Sequence, residues 1–99
     1  MAIVEFTIVP LGTKDTSLSK YVADCHKVLE EVEDIKYQLT PMGTIVEGDL
    51  DQILETIRKM HEVPFKNGAL RVSTSIKIDD RRDKVSSMDG KVKSVQEKL

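Results

Sequence analysis

Aromatic residues and excess charge are both scarce in this sequence. It contains no tryptophan, two tyrosines and two phenylalanines, and its formal net charge is -2. Sheets that bind RNA present exposed aromatic rings, and proteins that bind nucleic acid or anionic membranes through charge are strongly basic. We therefore expect neither nucleic acid nor a membrane as a partner.

Cysteine and long apolar runs are also scarce. Cys25 is the only cysteine and cannot form an internal disulfide. The apolar N-terminal stretch is interrupted by Glu5 and has no basic segment before it, unlike a secretory signal peptide. No stretch approaches the roughly 20 apolar residues that a bilayer crossing needs. These absences predict a soluble protein of the reducing cytoplasm.

The chain of 99 residues shows no internal repeat, low-complexity tract or linker, which predicts one domain over residues 1–99. A chain of this length buries only roughly two-thirds of the surface that its unfolded form exposes. We therefore expect subunits to share stability in a homo-oligomer, either a homodimer or a homotetramer.

The spacing of apolar residues predicts four strands and three helices. Apolar and polar residues alternate with a period of two in some segments and recur at helical spacing in others. The predicted strands are residues 2–10, 35–40, 43–48 and 69–79. The predicted helices run from 18 to 32, from Asp49 to an end between Pro64 and Gly68, and from about 87 to 99.

Short polar residues mark the predicted helix ends. Ser17 or Asp15 can cap the first helix. Asp49 can cap the second, with Gln52 at the capping-box position, and Pro64 and Gly68 mark the expected end of that helix. Turn residues also define the central hairpin.

The central hairpin turns at residues 40–43. Pro41 suits the first central position of a tight turn because its φ is preset. Gly43 can adopt the positive φ that a turn followed by a bulge requires. We therefore expect the two strands to be joined directly.

The predicted order βαββαβ, followed by a helix, is typical of the ferredoxin-like α+β sandwich. In that fold two helices cover one face of a four-stranded antiparallel sheet and leave the other face open. The apolar set of the first and last strands should face the helices, which leaves the polar set uncovered. The polar set comprises Glu5, Thr7, Ser73, Ser75 and Lys77, to which the hairpin adds Gln38 and Thr40 or, on the alternate positions, Thr44.

The hydroxyl, amide and carboxylate groups of the open face allow two interpretations. They could recognise a small heterocycle, with Glu5 or Glu47 opposing a positive charge on it. Equally, the face could stack on a second sheet in an oligomer. The sequence leaves both interpretations open, and they are compatible if the site lies between subunits.

No catalytic or metal-binding constellation is present in the sequence. Cys25 and His26 are neighbours that point roughly 100° apart on a helix, so they cannot easily share a metal ion. No serine, histidine and acid set, phosphate loop or zinc-ligand cluster has a recognisable spacing. We expect Cys25 to be a buried, inert thiol, His26 to be solvated, and His61 to bond either a ligand or a neighbouring backbone group. The sequence thus predicts no enzyme, no metal and no resident cofactor.

A run of opposite charges follows the last predicted strand. Arg81 and Arg82 could pair with aspartates at a salt-bridged strand end or subunit contact, or they could capture an anion such as a phosphate group. Because adjacent aspartates already supply compensating charge, we favour the pairing with aspartates. The residues predicted for a subunit contact are Asp79, Arg81, Arg82 and Asp83.

Short motifs distributed along the chain carry a family resemblance. They are residues 8–13 (IVPLGT), 16–19 (TSLS) with Tyr21, 42–44 (MGT), 47–50 (EGDL), 61–62 (HE) and 76–83 (IKIDDRRD). Together, and in this order, they resemble the small thiamine-binding protein family, whose members were long known as conserved proteins of unknown function. The resemblance runs nearly end to end.

This resemblance implies a ferredoxin-like fold, assembly into dimers and tetramers by joining and packing sheets, and non-catalytic binding of thiamine or its hydroxymethylpyrimidine moiety. The implied role is a carrier or sensor, and the alternative is a structural or regulatory oligomeric module with no small-molecule ligand. Thiamine is a cation with an aminopyrimidine edge, so its site should offer hydrogen-bonding groups, an apolar wall and a carboxylate. By motif position and polarity, the expected ligand residues are Thr7, Ser17, Thr40, Met42, Gly43, Thr44, Glu47, His61 and Ser75.

Overall fold

The computed structural model describes residues 1–13, 18–85 and 87–99. Within these residues the chain forms four strands and three helices in the predicted order. This order confirms the ferredoxin-like α+β fold with an additional C-terminal helix. The elements are β1 (Ala2–Leu11), α1 (Ser19–Glu30), β2 (Lys36–Thr40), β3 (Gly43–Gly48), α2 (Leu50–Lys66), β4 (Arg71–Asp79) and α3 (Met88–Gln96).

The strands form an antiparallel sheet in the order β2-β3-β1-β4. Thr7 of β1 pairs with Ser75 of β4, and Thr40 of β2 pairs with Gly43 of β3. Directly paired residues project from the same face of a sheet, and successive residues alternate between faces. The register therefore places the predicted polar set on one face, namely Glu5, Thr7, Ser73, Ser75 and Lys77.

The core lies between the other face of the sheet and helices α1 and α2. Val4 and Phe6 of β1 are 0% and 3% exposed, and Val46 of β3 is 1% exposed. Leu29 from α1 and Ile53 from α2 are buried against them. The apolar set of β1 faces the helices, as the alternation predicts.

Helix α1 begins after Leu18, which occupies its N-cap position. The side chain of Leu18 makes no capping hydrogen bond to the first turn. The predicted caps, Ser17 and Asp15, lie outside the described residues. After the helix, Asp34 adopts a φ of 66°, and this left-handed residue turns the chain into β2.

Helix α2 has the predicted cap and ends between the two residues predicted to mark its end. Asp49 Oδ2 accepts a hydrogen bond of 3.1 Å from the backbone N–H of Gln52. The capping box is incomplete because the Gln52 side chain donates instead to the carbonyl of Glu33, at 3.0 Å. The helix ends at Lys66, between Pro64 and Gly68, which are the two residues predicted to mark its end. The ring of Pro64 is fully buried, so its packing offsets the hydrogen bond that proline cannot donate.

Helix α3 lies on the open face of the sheet. The backbone N–H of Met88 donates to Glu47 Oε2 at 2.7 Å, and Glu47 projects from that face. Ser87 caps the helix through the backbone N–H of Gly90, and the helix ends at Gln96, before the predicted end at residue 99. No helix among the described residues has both the length and the apolar character that a membrane span requires.

Candidate functional site

A row of small and hydroxyl-bearing residues crosses the four strands on the open face. Thr40 pairs with Gly43, and Thr7 pairs with Ser75. Gly43 and Thr7 are also neighbours, since a Cβ placed on Gly43 would lie 3.0 Å from Thr7 Cγ2. We call Thr40, Gly43, Thr7 and Ser75 the hydroxyl row. It brings four of the predicted ligand residues together.

Gly43 is required by close packing and not by backbone conformation. It is absent from the residues with positive φ, so the expected left-handed glycine after the turn is wrong. A Cβ at this position would lie 3.1 Å from the carbonyl oxygen of Phe6, in addition to its contact with Thr7. Glycine therefore lets β3 approach β1 closely. It also leaves backbone without a side chain in the middle of the hydroxyl row.

The hydroxyl of Thr40 stabilises the hairpin. It donates to the carbonyl of Gly43 at 2.8 Å and accepts from the backbone N–H of Met42 at 3.3 Å. Pro41 and Met42 form the two-residue loop between β2 and β3, and Met42 is 87% exposed at its tip. Thr40 thus shapes one end of the row, while the side chain of Met42 projects beyond it.

Glu47 lies at the opposite end of β3 from the hydroxyl row. It follows Gly43 by four residues, which is about 13 Å along a strand. Its carboxylate accepts the N–H of Met88, and its strand partners are Ile3 and Lys36. Glu47 is therefore on the predicted face but is already bonded to α3.

Thr44 and His61 lie on the helix side of the sheet. Thr44 is 6% exposed, and its hydroxyl shares a hydrogen bond of 3.0 Å with His26 Nε2. His61 Nδ1 shares one of 2.6 Å with the hydroxyl of Thr74. The sheet separates both residues from the hydroxyl row, because Thr44 directly follows Gly43 and strand residues alternate between faces. A site on the open face does not include Thr44 or His61, and a ligand role for these two residues stays a prediction.

The contacts of His26 with the sheet could not be predicted from the sequence. The expectation that it is solvated is wrong, since its ring is half-buried and makes an edge contact with Tyr37 at a centroid distance of 5.8 Å. Burial lowers the pKa of His26 below its usual 6.5, and the negative charge of Glu30 partly opposes this shift. The imidazole therefore connects α1 to β3 in its neutral form.

Cys25 is buried, as expected, and is 5% exposed. Burial raises the pKa of its thiol to about 11, with a smaller contribution from the charge of Asp24. A thiolate is the nucleophilic form of cysteine, and it is scarce at neutral pH when the pKa is this high. This environment disfavours nucleophilic chemistry at Cys25.

The arginines after β4 are neutralised by their neighbours. Arg81 makes two hydrogen bonds to the carboxylate of Asp83, at 2.5 and 2.8 Å, and Arg82 pairs with Asp80 at 2.7 Å. Asp79 pairs instead with Lys91 of α3. Each arginine already has a carboxylate partner, which disfavours anion capture within this chain. The assignment of Asp79, Arg81, Arg82 and Asp83 to a subunit contact stays a prediction.

Glu5 supplies the exposed carboxylate next to the hydroxyl row. It precedes Thr7 by two residues on β1 and is opposite Lys77 of β4. No hydrogen bond or ion pair joins its side chain to the described residues. The alternation of β1 could have identified Glu5 as the row's nearest acid, ahead of Glu47.

Two further parts of the predicted site concern Ser17 and metal ligands. Ser17 lies outside the described residues. Among residues 1–13, 18–85 and 87–99, no group of three or more histidine, cysteine and acidic side chains is placed to hold a metal ion.

The chain matches a protein family described as "Thiamine-binding protein" over residues 4–96. It is 49% identical to the UPF0045 protein YqgV of Bacillus subtilis over 102 aligned positions, which cover 100% of this chain and 98% of that protein. The matched range of residues 4–96 includes the parts of the four strands that carry the hydroxyl row and Glu5.

Solved structures have the same fold. The hypothetical protein MJ1052 from Methanocaldococcus jannaschii has a TM-score of 0.86 and 38% identity, with 97% of this chain and 96% of that chain covered. A Thermotoga maritima protein named for a proposed role in thiamine biosynthesis or salvage has a TM-score of 0.78 at 20% identity, with coverage of 95% and 97%. At this lower identity the likeness concerns the fold alone.

Proposed function

Since the chain belongs to the thiamine-binding protein family, we propose that it binds thiamine or the hydroxymethylpyrimidine part of thiamine on its open sheet face. It acts there as a carrier or sensor and makes or breaks no bond. The observation that carries this proposal is the hydroxyl row, in which Thr7 and Ser75 are paired on neighbouring strands and Gly43, which has no side chain, lies next to Thr7.

The chemistry of the row suits an aminopyrimidine. Hydroxyls both donate and accept hydrogen bonds, which matches the ring nitrogens and amino group of such a ligand. Directly opposed residues of an antiparallel pair have Cβ atoms roughly 5 Å apart, so Thr7 and Ser75 can contact one small ring together. Phe6 and Tyr37 face the helix side, so recognition depends on hydrogen bonds and not on stacking by strand residues.

The charge next to the row suits the thiazolium of thiamine. Glu5 is exposed and makes no ion pair with the described residues. It is two residues from Thr7 on β1 and projects from the same face of the sheet. A carboxylate this close to the ring site can oppose the positive charge of the ligand, and the interaction weakens as salt is added. Hydroxymethylpyrimidine lacks the thiazolium and should depend less on Glu5.

Non-catalytic binding fits the state of the reactive side chains. Cys25 is buried with a raised pKa, and both histidines are bonded to threonines on the helix side. None of these groups reaches the hydroxyl row, so the site offers no nucleophile with a general base. We propose no resident cofactor and a cytoplasmic location.

The second candidate function is a structural or regulatory oligomeric module. The exposed edge strand β4 favours it, because Ile76 and Ile78 on its helix side are 44% and 46% exposed. An edge with unpaired backbone groups can join a second sheet. A homodimer or dimer of dimers could also complete a ligand site on the open face.

Calorimetric titration of the ligand-stripped protein with thiamine and hydroxymethylpyrimidine tests the proposal. Thr7→Val should weaken binding roughly threefold to tenfold, the equivalent of one hydrogen bond. Thr74→Val makes the same chemical change on the helix side and should leave the affinity unchanged. The absence of both heat and thermal stabilisation at millimolar ligand would overturn the proposal and favour the oligomeric module.

A further inference from the structure

We propose that α3 is a detachable, autoinhibitory cover, which occupies Glu47 and shields one end of the open sheet face. The inhibitory part of this proposal rests on the proposed ligand site. The detachable part stands on the contacts of α3 alone.

Three polar contacts attach the first turn of α3 across the sheet. Asp89 pairs with Lys36 of β2, and Lys91 pairs with Asp79 of β4. Strands β3 and β1 lie between these two edges, which are therefore about 14 Å apart. On β3, Glu47 accepts the N–H of Met88, so α3 contacts three of the four strands.

Apolar contact contributes little to this attachment. Met88 is the one buried residue of α3, and Val92 and Val95 are 57% and 59% exposed. A helix of nine residues is too short to persist alone in water, and Gly90 weakens it further. Release from the sheet should therefore melt α3 locally while the core stays folded.

The contact with Glu47 makes the cover inhibitory. A hollow of about 250 Å³ opens beside Glu47 and Lys36, lined also by Met1, Asp34 and Ile35. A cationic group that reaches Oε2 of this carboxylate must compete with the N–H of Met88. Release of α3 frees the carboxylates of Glu47 and Asp79 and one lysine, Lys36, on the face that carries Glu5. The net gain is one negative charge, which should strengthen the binding of a cation.

Hydrogen exchange of residues 88–96 tests detachment without any ligand. Charge pairs at the surface are screened by salt, with a Debye length of about 3 Å at 1 M. We expect α3 amides to exchange about tenfold faster in 1 M than in 0.05 M sodium chloride, with β1 and α2 amides unchanged. If the α3 amides are equally protected at the two salt concentrations, or exchange only when the core amides exchange, the proposal that α3 detaches is overturned.

Variants on α3 and on the sheet distinguish loss of the contact between them from a change in the helix propensity of α3. The double variant Asp89→Ala with Lys91→Ala should expose α3. Lys93→Ala with Glu97→Ala likewise removes one positive and one negative charge, at the other end of the helix and at the residue that follows it, and should not. Lys36→Ala with Asp79→Ala leaves the α3 sequence intact and should have the effect of the first pair. Protection that persists in this sheet-side variant contradicts the proposal.

Thiamine titration then tests inhibition. The Asp89→Ala and Lys91→Ala protein should bind thiamine several-fold more tightly than the wild type, while its affinity for uncharged hydroxymethylpyrimidine changes less. Equal thiamine affinity in wild type and variant overturns the inhibitory role. A wild type and a released variant that both fail to bind thiamine refute the proposed function, whereas the exchange data independently decide whether α3 detaches.

Discussion

The thiol of Cys25 donates a hydrogen bond to the carbonyl oxygen of Met60, with Sγ and O 3.6 Å apart. In an α-helix this carbonyl would accept from the N–H of residue 64, but Pro64 has none. Cys25 on α1 therefore supplies the donor that α2 lacks, and the buried carbonyl is satisfied from the neighbouring helix. This pairing explains how a proline sits inside α2 without an unsatisfied group.

A double-mutant cycle should detect this relationship. Cys25→Ala should lower the free energy of unfolding by about 1–2 kcal/mol, because it leaves a small void and an unpaired carbonyl. In a Pro64→Ala background the backbone regains its N–H, so the same change should cost about 0.5–1 kcal/mol less. Urea denaturation followed by circular dichroism measures both costs.

A variant of α2 that does not restore a backbone N–H donor to the carbonyl of Met60 provides the control for that cycle. Val63→Ala removes apolar atoms from the same turn of α2 but supplies no N–H to Met60. The cost of Cys25→Ala should be the same in this background as in the wild type. If the Val63→Ala and Pro64→Ala backgrounds reduce it equally, general loosening of α2 and not the hydrogen bond accounts for the coupling.

Gly43→Ala should destabilise the sheet by about 1–3 kcal/mol. The added Cβ meets the backbone oxygen of Phe6 and the methyl group of Thr7, and a backbone atom cannot turn aside as a side chain can. Ser75→Ala, in the same row but exposed, should change stability by less than about 0.5 kcal/mol. Thermal and urea unfolding of both variants provide the measurement, and a neutral Gly43→Ala would mean that β3 and β1 separate easily.

Asp49→Ala should cost about 1 kcal/mol of stability. Its carboxylate accepts the N–H of Gln52, and removal leaves that helix-end donor without its cap. Asp51→Ala removes an equal charge from the first turn of α2 without removing the cap, so it should cost less. Asp49→Asn preserves the acceptor and should recover most of the loss, and failure to do so would assign the effect to charge alone.

The sequence predicted the fold because periodicity and caps are local signals. The alternation of β1 assigned Val4 and Phe6 to the core and Glu5 and Thr7 to the open face, and the register agrees. The Asp49 cap followed from residue type and spacing. These features depend on neighbours within a few residues.

The placement of the predicted site residues could not be read from the sequence where it depends on contacts between distant parts of the chain. Thr44 and Gly43 are adjacent in sequence but face opposite sides, and Thr44 bonds His26 from another element. The role of Gly43 depends on how closely β1 approaches, and the continuation of α2 through Pro64 depends on burial. No local pattern reports such contacts.

The buried imidazole of His26 should make stability fall on acidification. Its pKa is lowered in the folded protein, chiefly by burial, so the unfolded chain binds a proton more readily. The stabilising contribution is complete above the unfolded pKa of about 6.5 and is lost as the pH falls through the folded value. Glu30 on the same helix opposes the shift, whereas Tyr37 of β2 and Thr44 of β3 contact the ring from the helix side of the sheet.

His26→Gln isolates this contribution, because glutamine retains a hydrogen-bonding group near Thr44 but cannot titrate. Urea unfolding of wild type and variant between pH 7.5 and 5 gives the free energy of unfolding for each. The contributions of the carboxylates cancel in the difference between the two proteins, so the wild type should lose more stability than the variant below about pH 6.5. Identical pH dependence in both proteins would mean that His26 protonates in the folded state as readily as in the unfolded chain, and the link between α1 and β3 would then not depend on a neutral imidazole.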